Sequence, residues 1–529
     1  MAKYVLVNRR AGKFTEEAKL ASRASIASAM SLVPSRAVLD DRVPKDMLAR
    51  RVAVLDLDEA AATRLASQVS PDVVLEPLII RRLHHRRPAE LRDATPVARV
   101  AASAAAGQYQ VTITAGGARL GNIDVMLYVA DQFGNINTST VKASANGQAS
   151  IQLAPGQRIA FVEPIPFAGF WIMLAEAPPS GSAVDCTRIV AAPADGKAWW
   201  HAVTNTGNPA DGKGINVGVI DTGCGPHPNL KHVRLIGAFV NGGSLPGPQA
   251  VDVAEHGTHT TGIIGARPSR AGDYTGLAPA CNLLHARVFK GEGEGDGPSQ
   301  ADLINAIDAL SRDNHCDLIN MSLGGGPPSA AEQDCIRDAL ERGTLCICSA
   351  GNDAGPVNFP GAYPECVSVS ALGQVGWAPP GTFSAGNRPR EPGRMGRDNL
   401  FLASFSSNGD GLDAAGPGVG IVSTVPDRAG ATGLYMEMDG TSMASPAVCA
   451  TLAAILSKDE TYATLPRDAS RSTAARHLLE ADCVSVGLAR TLQGFGLPVA
   501  GDFNAPVPGP VAARSTPKSR SKSKRKVLA

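Results

Sequence analysis

The 529-residue sequence predicts a doubly wound α/β domain with a mostly parallel sheet over residues 186–502. A small α+β domain (1–95) and a β-sandwich (96–180) precede it, and a basic tail (503–529) follows. Three observations carry this prediction. Between 215 and 371, short apolar runs alternate with amphipathic stretches, the pattern of parallel strands covered by helices on both faces. Between 96 and 180 helical periodicity disappears, and short alternating runs are separated by Gly116-Gly117, Gly134-Asn135 and Asn146-Gly147. Further on, residues 447–456 are small and apolar on every face, as in a helix buried all round.

The elements follow in order. Residues 4–8 alternate as a strand, 15–30 read as a helix and 51–57 as a second strand. Asp58-Glu59 opens a helix over 60–69, acids lying where the helix dipole favours them, and 73–80 closes the unit as a strand. The run Arg81-Arg82-Leu83-His84-His85-Arg86-Arg87-Pro88 reads as an exposed basic linker, with a bound anion as the alternative. The N-terminus has the alternation of a strand and no signal-peptide pattern, so a cytoplasmic protein is expected, with export by a signal-peptide-independent route left open.

In the second unit, strands are expected at 109–114, 124–130, 149–153, 158–162 and 170–174, as in a β-sandwich. The dense apolar stretch 164–171 is expected to be core or a contact between domains, with a partner surface as the lesser reading. In the third unit, strands are expected at 215–220, 282–289, 317–323, 344–350 and 366–371, with helices over 299–312 and 329–342. Ligands of such sheets bind at the carboxyl ends of the strands, where Asp221, Ser322 to Gly325 and Ser349 to Asn352 fall.

Composition bounds the function. The net charge of +1 gives no global field for nucleic acid. No apolar run approaches a membrane span; 448–456 is far too short. Ten cysteines, with Cys346 and Cys348 alternating in an apolar run, read as reduced buried thiols, with one disulfide left open. The Pro-rich, basic segment from 503 reads as a solvated tail; binding of nucleic acid or anionic lipid there would be unspecific.

Three polar signatures occur in the order Asp221-Thr222-Gly223, His256-Gly257-Thr258-His259 and Gly440-Thr441-Ser442. Each has an ordinary reading alone, as a strand-end turn or a helix cap. Together they supply a hydroxyl nucleophile, an imidazole base and an orienting carboxylate. Pro446 is expected in the first turn of the helix, which places Ser442 at or just before its N-terminus. A G-x-S-x-G elbow is absent at Ser442, and the order Asp, His, Ser differs from the one that begins with His. A non-catalytic protein that captures peptides in the same crevice is the rival reading. A Ser-Glu-Asp peptidase is a weaker one, because His256 occupies the base position.

Over roughly 195–500 the sequence resembles the subtilisin-like serine peptidases, or subtilases. The resemblance rests on Val217 to Gly223 with Pro226 to Leu230, on His256 to Gly262 and on Gly276-Leu277-Ala278-Pro279. It continues through Asn320 to Gly324, Ser349-Ala350-Gly351-Asn352 and Gly440 to Pro446. It implies a subtilisin-like fold and a serine endopeptidase, acting on proteins or peptides through an acyl-enzyme with the triad Asp221, His256 and Ser442. It also implies that the Asn352 side chain and the Ser442 N–H serve the oxyanion. Substrate would lie as an extended strand along Ser322, Leu323 and Gly324, with Gly351 and the segment carrying Gly293, Glu294 and Gly295. That segment also carries Glu292 and Asp296; either it favours basic substrate residues or it is a solvated loop. The first ninety residues resemble the family's inhibitory propeptide, which implies a zymogen held latent intramolecularly. A monomer is expected. No cofactor is required, and structural calcium is doubtful because Asn229 stands where many subtilases place a calcium-binding Asp. The Gly/Pro/Arg-rich insertion at 373–399 is expected to be a surface loop or lid.

Overall fold

The computed structural model describes residues 2–9, 16–43, 50–83, 107–291, 297–428 and 433–503. Residues 504–529 of the predicted tail, residues 84–88 of the basic run and the acidic stretch 292–296 lie outside these residues.

The first sheet has the order β2-β3-β1-β4, from β1 (Ala2–Asn8), β2 (Val38–Arg42), β3 (Val52–Leu57) and β4 (Val73–Pro77). Its central strands are continuously apolar because both faces are covered. Leu6, Ala53 and Leu55 pack under α1 (Glu16–Ser31) and α2 (Glu59–Gln68), in a core shared with Ile26 and Leu65. Val5, Val7, Val52 and Val54 point the other way, into a core built by helices of the third unit. The Asp58 carboxylate caps α2 by accepting from the Ala61 N–H at 2.7 Å. Strand β2, with Asp40, Asp41 and Arg42 in succession at its end, carried no alternation and was not expected. The last strand is also shorter than expected. It leaves the sheet after Pro77, and Arg82–Leu83 forms a separate strand, β5.

Residues 107–185 form two four-stranded sheets. One has the order β10-β6-β13 with β7 beside β6, from β6 (Gly107–Ala115), β7 (Ala118–Arg119), β10 (Gln148–Leu153) and β13 (Ala183–Asp185). The other has the order β12-β11-β8-β9, from β8 (Asp124–Ala130), β9 (Ile136–Lys142), β11 (Arg158–Ile165) and β12 (Ala175–Glu176). Tyr109, Val111 and Ile113 of the first share a core with Val125, Leu127 and Ile159 of the second. Two differences from the sequence expectation appear. Strand β9, sequence INTSTVK, was missed because it is a mostly exposed edge with few apolar residues. The expected strand at 170–174 is instead irregular, with isolated bridges from Phe170 to Arg188 and from Met173 to Thr382. The apolar stretch before it is buried against the third unit: Trp171 meets the Trp377 ring edge-on at 6.2 Å.

A short helix, α3 (Trp199–Thr204), leads into a nine-stranded sheet. Its path runs β16-β15-β17-β14-β18-β20-β21-β22, with β23 also on β21. The strands are β14 (Asn216–Asp221), β15 (Arg234–Ala238), β16 (Leu245–Pro246), β17 (Asn282–Arg287) and β18 (Leu318–Met321). Beyond them lie β20 (Leu345–Ser349), β21 (Cys366–Gln374), β22 (Leu400–Leu402) and β23 (Ala414–Pro417). Pairing is parallel from β15 through β21 and on to β23, with antiparallel β16 and β22 at the margins.

Side chains alternate between two cores. Val217, Val219, Leu318 and Ile347 face α8 (Thr441–Leu456), which packs on α4 (His256–Gly265). Ile220, Ile319, Cys346 and Cys348 face α5 (Gln300–Asp308) and α6 (Ala330–Glu341), and this second core takes in the first sheet's valines. All ten cysteines are free thiols. The insertion at 373–399 is packed, not loose: it carries α7 (Phe383–Gly386), and the Leu174 N–H donates to the Gly381 carbonyl at 2.8 Å.

Helix α8 departs from the expectation drawn from Pro446. The helix begins at Thr441, so Ser442 is its second residue and Pro446 lies inside it. A residue with an N–H at 446 would bond the Ser442 carbonyl. That carbonyl instead accepts the Ser322 hydroxyl at 2.8 Å. The proline is tolerated because a neighbouring strand end supplies the missing donor.

Candidate active site

Adjacent strands β14, β18 and β20 deliver Asp221, Ser322 and Asn352 at or just beyond their carboxyl ends, in one line along the sheet. Helix α4 then places its first residue, His256, on Asp221. The close approach depends on two glycines. A Cβ on Gly257 would overlap the Gly223 carbonyl, and one on Gly223 would overlap the backbone of Val251. A small polar frame fixes the turn: the Thr222 hydroxyl donates to Asp252 at 2.7 Å and accepts from the Gly257 N–H at 2.8 Å. Asp252 also accepts from the N–H groups of Ala254 at 2.9 Å and Thr258 at 2.7 Å.

His256 Nδ1 lies 2.8 Å from Asp221 Oδ1. Asp221 also accepts the Thr222 N–H at 2.7 Å on Oδ1 and the Thr260 hydroxyl at 3.0 Å on Oδ2. Both members of the pair are buried, Asp221 fully. Burial alone would lower the imidazole's pKa, but the charge and hydrogen bond of Asp221, followed by the charge of Asp252, outweigh it and raise the value above 6.5. Burial would raise the Asp221 pKa, and the facing imidazole overrides it, so the carboxyl sits below 3.8. The pair therefore favours carboxylate and imidazolium.

Ser442 Oγ donates to the Ser322 carbonyl at 3.3 Å. Beneath it, Asn320 Nδ2 donates to Ser322 Oγ at 3.0 Å and Asn320 Oδ1 accepts from Ser445 Oγ at 2.8 Å, locking α8 to the end of β18. The Asn352 side-chain oxygen accepts from the Thr441 N–H at 3.0 Å and from the Thr441 hydroxyl at 2.9 Å. Its amide nitrogen faces Gly440, where a Cβ would stand 3.2 Å away. The Gly351 N–H donates to the Thr441 hydroxyl at 3.1 Å.

The expected substrate edge, Leu323–Gly324, is a strand, β19, and it is occupied. It pairs antiparallel with β5, Leu323 opposite Leu83 and Gly324 opposite Arg82. Arg81, expected in an exposed linker, is instead fully buried in a pocket beside that edge. Of the residues expected to bind substrate, Gly293, Glu294 and Gly295 lie outside the described residues. The sequence reading passed over Thr260, Asp252, Thr441 and Glu332. Thr441 had a signal, since it sits inside the Gly440-Thr441-Ser442 run. Thr260 likewise sits inside the His256 to Gly262 run, whereas Asp252 and Glu332 are single polar residues in a turn and a helix with no pattern to mark them.

Around Asn229 the polar groups bond one another. The Asn229 amide donates to the Tyr435 hydroxyl at 2.8 Å, and its oxygen accepts from the Ser269 N–H at 3.1 Å. The Asp273 carboxylate beside it is met by Arg270 Nε at 3.3 Å. N–H groups and a guanidinium occupy acceptors that a cation would need. Among the described residues no group of three or more His, Cys, Asp or Glu could hold a metal ion, and no helix is long and apolar enough to cross a membrane.

Comparison with known proteins identifies the family of this chain. Residues 212–496 match the model of the subtilase family. The chain is 32% identical to Subtilisin Savinase of Lederbergia lenta over 255 residues, 48% of this chain and 80% of that protein. It is 31% identical to the major intracellular serine protease of Bacillus subtilis (strain 168) over 295 residues, 54% of this chain and 81% of that protein. Against Subtilisin E of the same organism it is 35% identical over 271 residues, 50% of this chain and 61% of that protein. By class the protein is a hydrolase that cuts peptide bonds with a serine. It belongs to the subtilase family and is a subtilisin-like serine endopeptidase.

Proposed function

We propose that Ser442 is the nucleophile, His256 its general base and acid, and Asp221 the carboxylate that fixes the imidazole. The observation that carries this reading is the buried 2.8 Å bond between His256 Nδ1 and Asp221 Oδ1. It leaves Nε2 as the ring nitrogen that takes the Ser442 proton as Oγ attacks a peptide carbonyl. The imidazolium then formed is stabilised by the Asp221 charge and returns its proton to the leaving amine. An acyl-enzyme on Ser442 remains, and water attacks it by the same route.

Negative charge on the carbonyl oxygen is met by Asn352 and by the Ser442 N–H at the start of α8. Thr441 supports the first assignment by holding the Asn352 oxygen, which fixes the amide so that its NH₂ is the end turned away from Thr441. A fluorophosphonate probe should label the wild-type chain on Ser442 and leave Ser442→Ala unlabelled; labelling elsewhere would refute the assignment.

The same reading makes residues 2–83 an intramolecular inhibitor. Leu83 and Arg82 occupy the edge on which a substrate strand would add. The rest of the unit is anchored on α6: Arg50 Nη2 lies 2.6 Å from Asp338, Arg9 Nε 2.8 Å from Asp334, and Glu76 accepts the Ala330 N–H at 3.0 Å. The intact chain should hydrolyse peptides only after its backbone is cut between this unit and the third. Full activity of the uncut chain would end this part of the proposal.

A further inference from the structure

Arg81 is placed as a ligand would be. Its side chain and that of Glu332 are both wholly shielded from solvent and form an ion pair. Nε lies 3.3 Å from Glu332 Oε1, while Nη2 bonds Oε2. Nη1 donates to the carbonyls of Gly325 and, at 2.9 Å, Pro327. Every guanidinium nitrogen is therefore used. The pocket is rigid on the protein's side. Glu332 stands in the first turn of α6, where the helix dipole favours a carboxylate, and Tyr363 donates its hydroxyl to Oε2 at 3.1 Å.

The backbone around Arg81 is held like a strand added to a sheet. The Arg81 N–H donates to the Pro298 carbonyl at 2.8 Å, Ile80 bridges Ser299, and Arg82 and Leu83 pair with Gly324 and Leu323. A Cβ on Gly297 would overlap the Arg81 carbonyl, so the strand fits only against glycine there.

We propose that this pocket selects an arginine in the substrate, four residues N-terminal to the bond that is cut. The inference rests on Ser442 being the nucleophile and on substrate adding to Leu323–Gly324. The position follows from the register. The pocket takes the residue two before the one opposite Leu323. The residue after that one faces Ser322, whose carbonyl is 3.3 Å from Ser442 Oγ, so its carbonyl is the one within reach of attack. Counting back from the cut, the pocket residue is the fourth.

The chemistry requires a cation there. Once the N-terminal unit has gone, Glu332 is a carboxylate in a pocket that still receives the Tyr363 hydroxyl but no cation from Arg81. An apolar residue in the pocket would leave that charge uncompensated, at a loss of roughly 100-fold or more in rate. Lysine would restore the charge. It cannot form the two-point contact with the carboxylate while also reaching the two carbonyls, so it should fall about tenfold below arginine.

The test uses the full chain, incubated until its hydrolysis of casein is constant, and quantified by fluorophosphonate titration. Fluorogenic peptides differing only at the fourth position, with arginine, lysine or norleucine, are then compared by kcat/KM. The expected order is arginine, lysine, norleucine, with at least 100-fold between the extremes, and Glu332→Gln should compress that range below tenfold. Labelled wild-type enzyme that cuts all three peptides at equal rates would overturn this proposal alone. Failure to label at Ser442 would overturn the nucleophile assignment and this proposal with it. The wild-type comparison stands even if Glu332→Gln fails to fold.

Discussion

Thr441 grips the side-chain oxygen of Asn352 from two directions, through its N–H at 3.0 Å and its hydroxyl at 2.9 Å. An asparagine so held presents its NH₂ in one orientation before substrate arrives, which is what a donor to a developing oxyanion needs. Asn352→Leu should lower kcat by about 100- to 1,000-fold with little change in KM, the magnitude known for such a donor in subtilisin itself. Thr441→Val keeps the backbone hold and loses the hydroxyl, so a smaller fall of about tenfold, again in kcat, is expected. A rise in KM alone would show that both residues serve substrate binding.

Asp221, His256 and Ser442 should behave as one unit. Ser442→Ala and Ser442→Ala/His256→Ala should lose the same activity, about 10⁶-fold in kcat, as their counterparts do in subtilisin. Losses that multiply in the double variant would contradict a shared proton transfer.

The base must be neutral to act, and its pKa is raised above 6.5 by Asp221 against the effect of burial. The kcat/KM of the processed enzyme should therefore rise with pH through a midpoint above 6.5. Asp221→Asn removes the charge that holds the value up, so the midpoint should fall while activity drops about 10⁴-fold. An unmoved midpoint would show that another group sets it.

Stability should follow a different set of imidazoles. His201, His227 and His285 are buried and pushed by that burial down to about 4, and His259 to about 3. A base depressed in the folded state contributes stability that is complete above its unfolded value of 6.5 and is lost as pH falls towards the folded value. Each should cost about 1.4 kcal/mol per pH unit through that window, measured as proton uptake on unfolding between pH 6 and 4. His256 works in the opposite sense, being raised, but it is one group against these four and His232, which burial also pushes down to about 4. Unfolding without proton uptake in this range would refute the account.

Arg50 is buried against Asp338 at 2.6 Å, with Asp308 3.9 Å away. Arg50→Met removes the 2.6 Å contact and leaves Arg342 3.8 Å from Asp338. Docking of residues 2–83 should weaken by about 3 kcal/mol, the lower end for breaking a buried pair from one side. Hydrogen exchange in α6 of the uncut variant would report it, and exchange as slow as in the wild type would show that Arg50 is not an anchor.

Much of this was legible in the sequence, for identifiable reasons. The strands at Val217, Leu318 and Leu345 are buried on both faces, so they appear as uninterrupted apolar runs whatever else surrounds them. Asp221, Ser322 and Asn352 follow such runs directly, which marks them as strand-end residues. Pro446 misled because its ordinary place is a first turn, and the donor that tolerates it, Ser322, lies 124 positions earlier in the chain. Arg81 misled for a similar reason. A cluster of cations reads as solvated, and the carboxylate that buries this one is 251 residues away. Both failures concern a partner distant in sequence that reverses the local preference.

Arg9, Arg50, Glu76 and Arg81 all address one short stretch, residues 329–338, on the far side of the sheet core from α8. While the backbone is continuous, the N-terminal unit stands over that stretch at an effective concentration in the millimolar range, fixed by the tether and indifferent to how much protein is present. Once the tether is cut, the same contacts answer to mass action. If residues 2–83 inhibit as proposed, the cut protein should sense its own density: crowded molecules would silence one another by rebinding what they have shed, and dilution alone would restore activity.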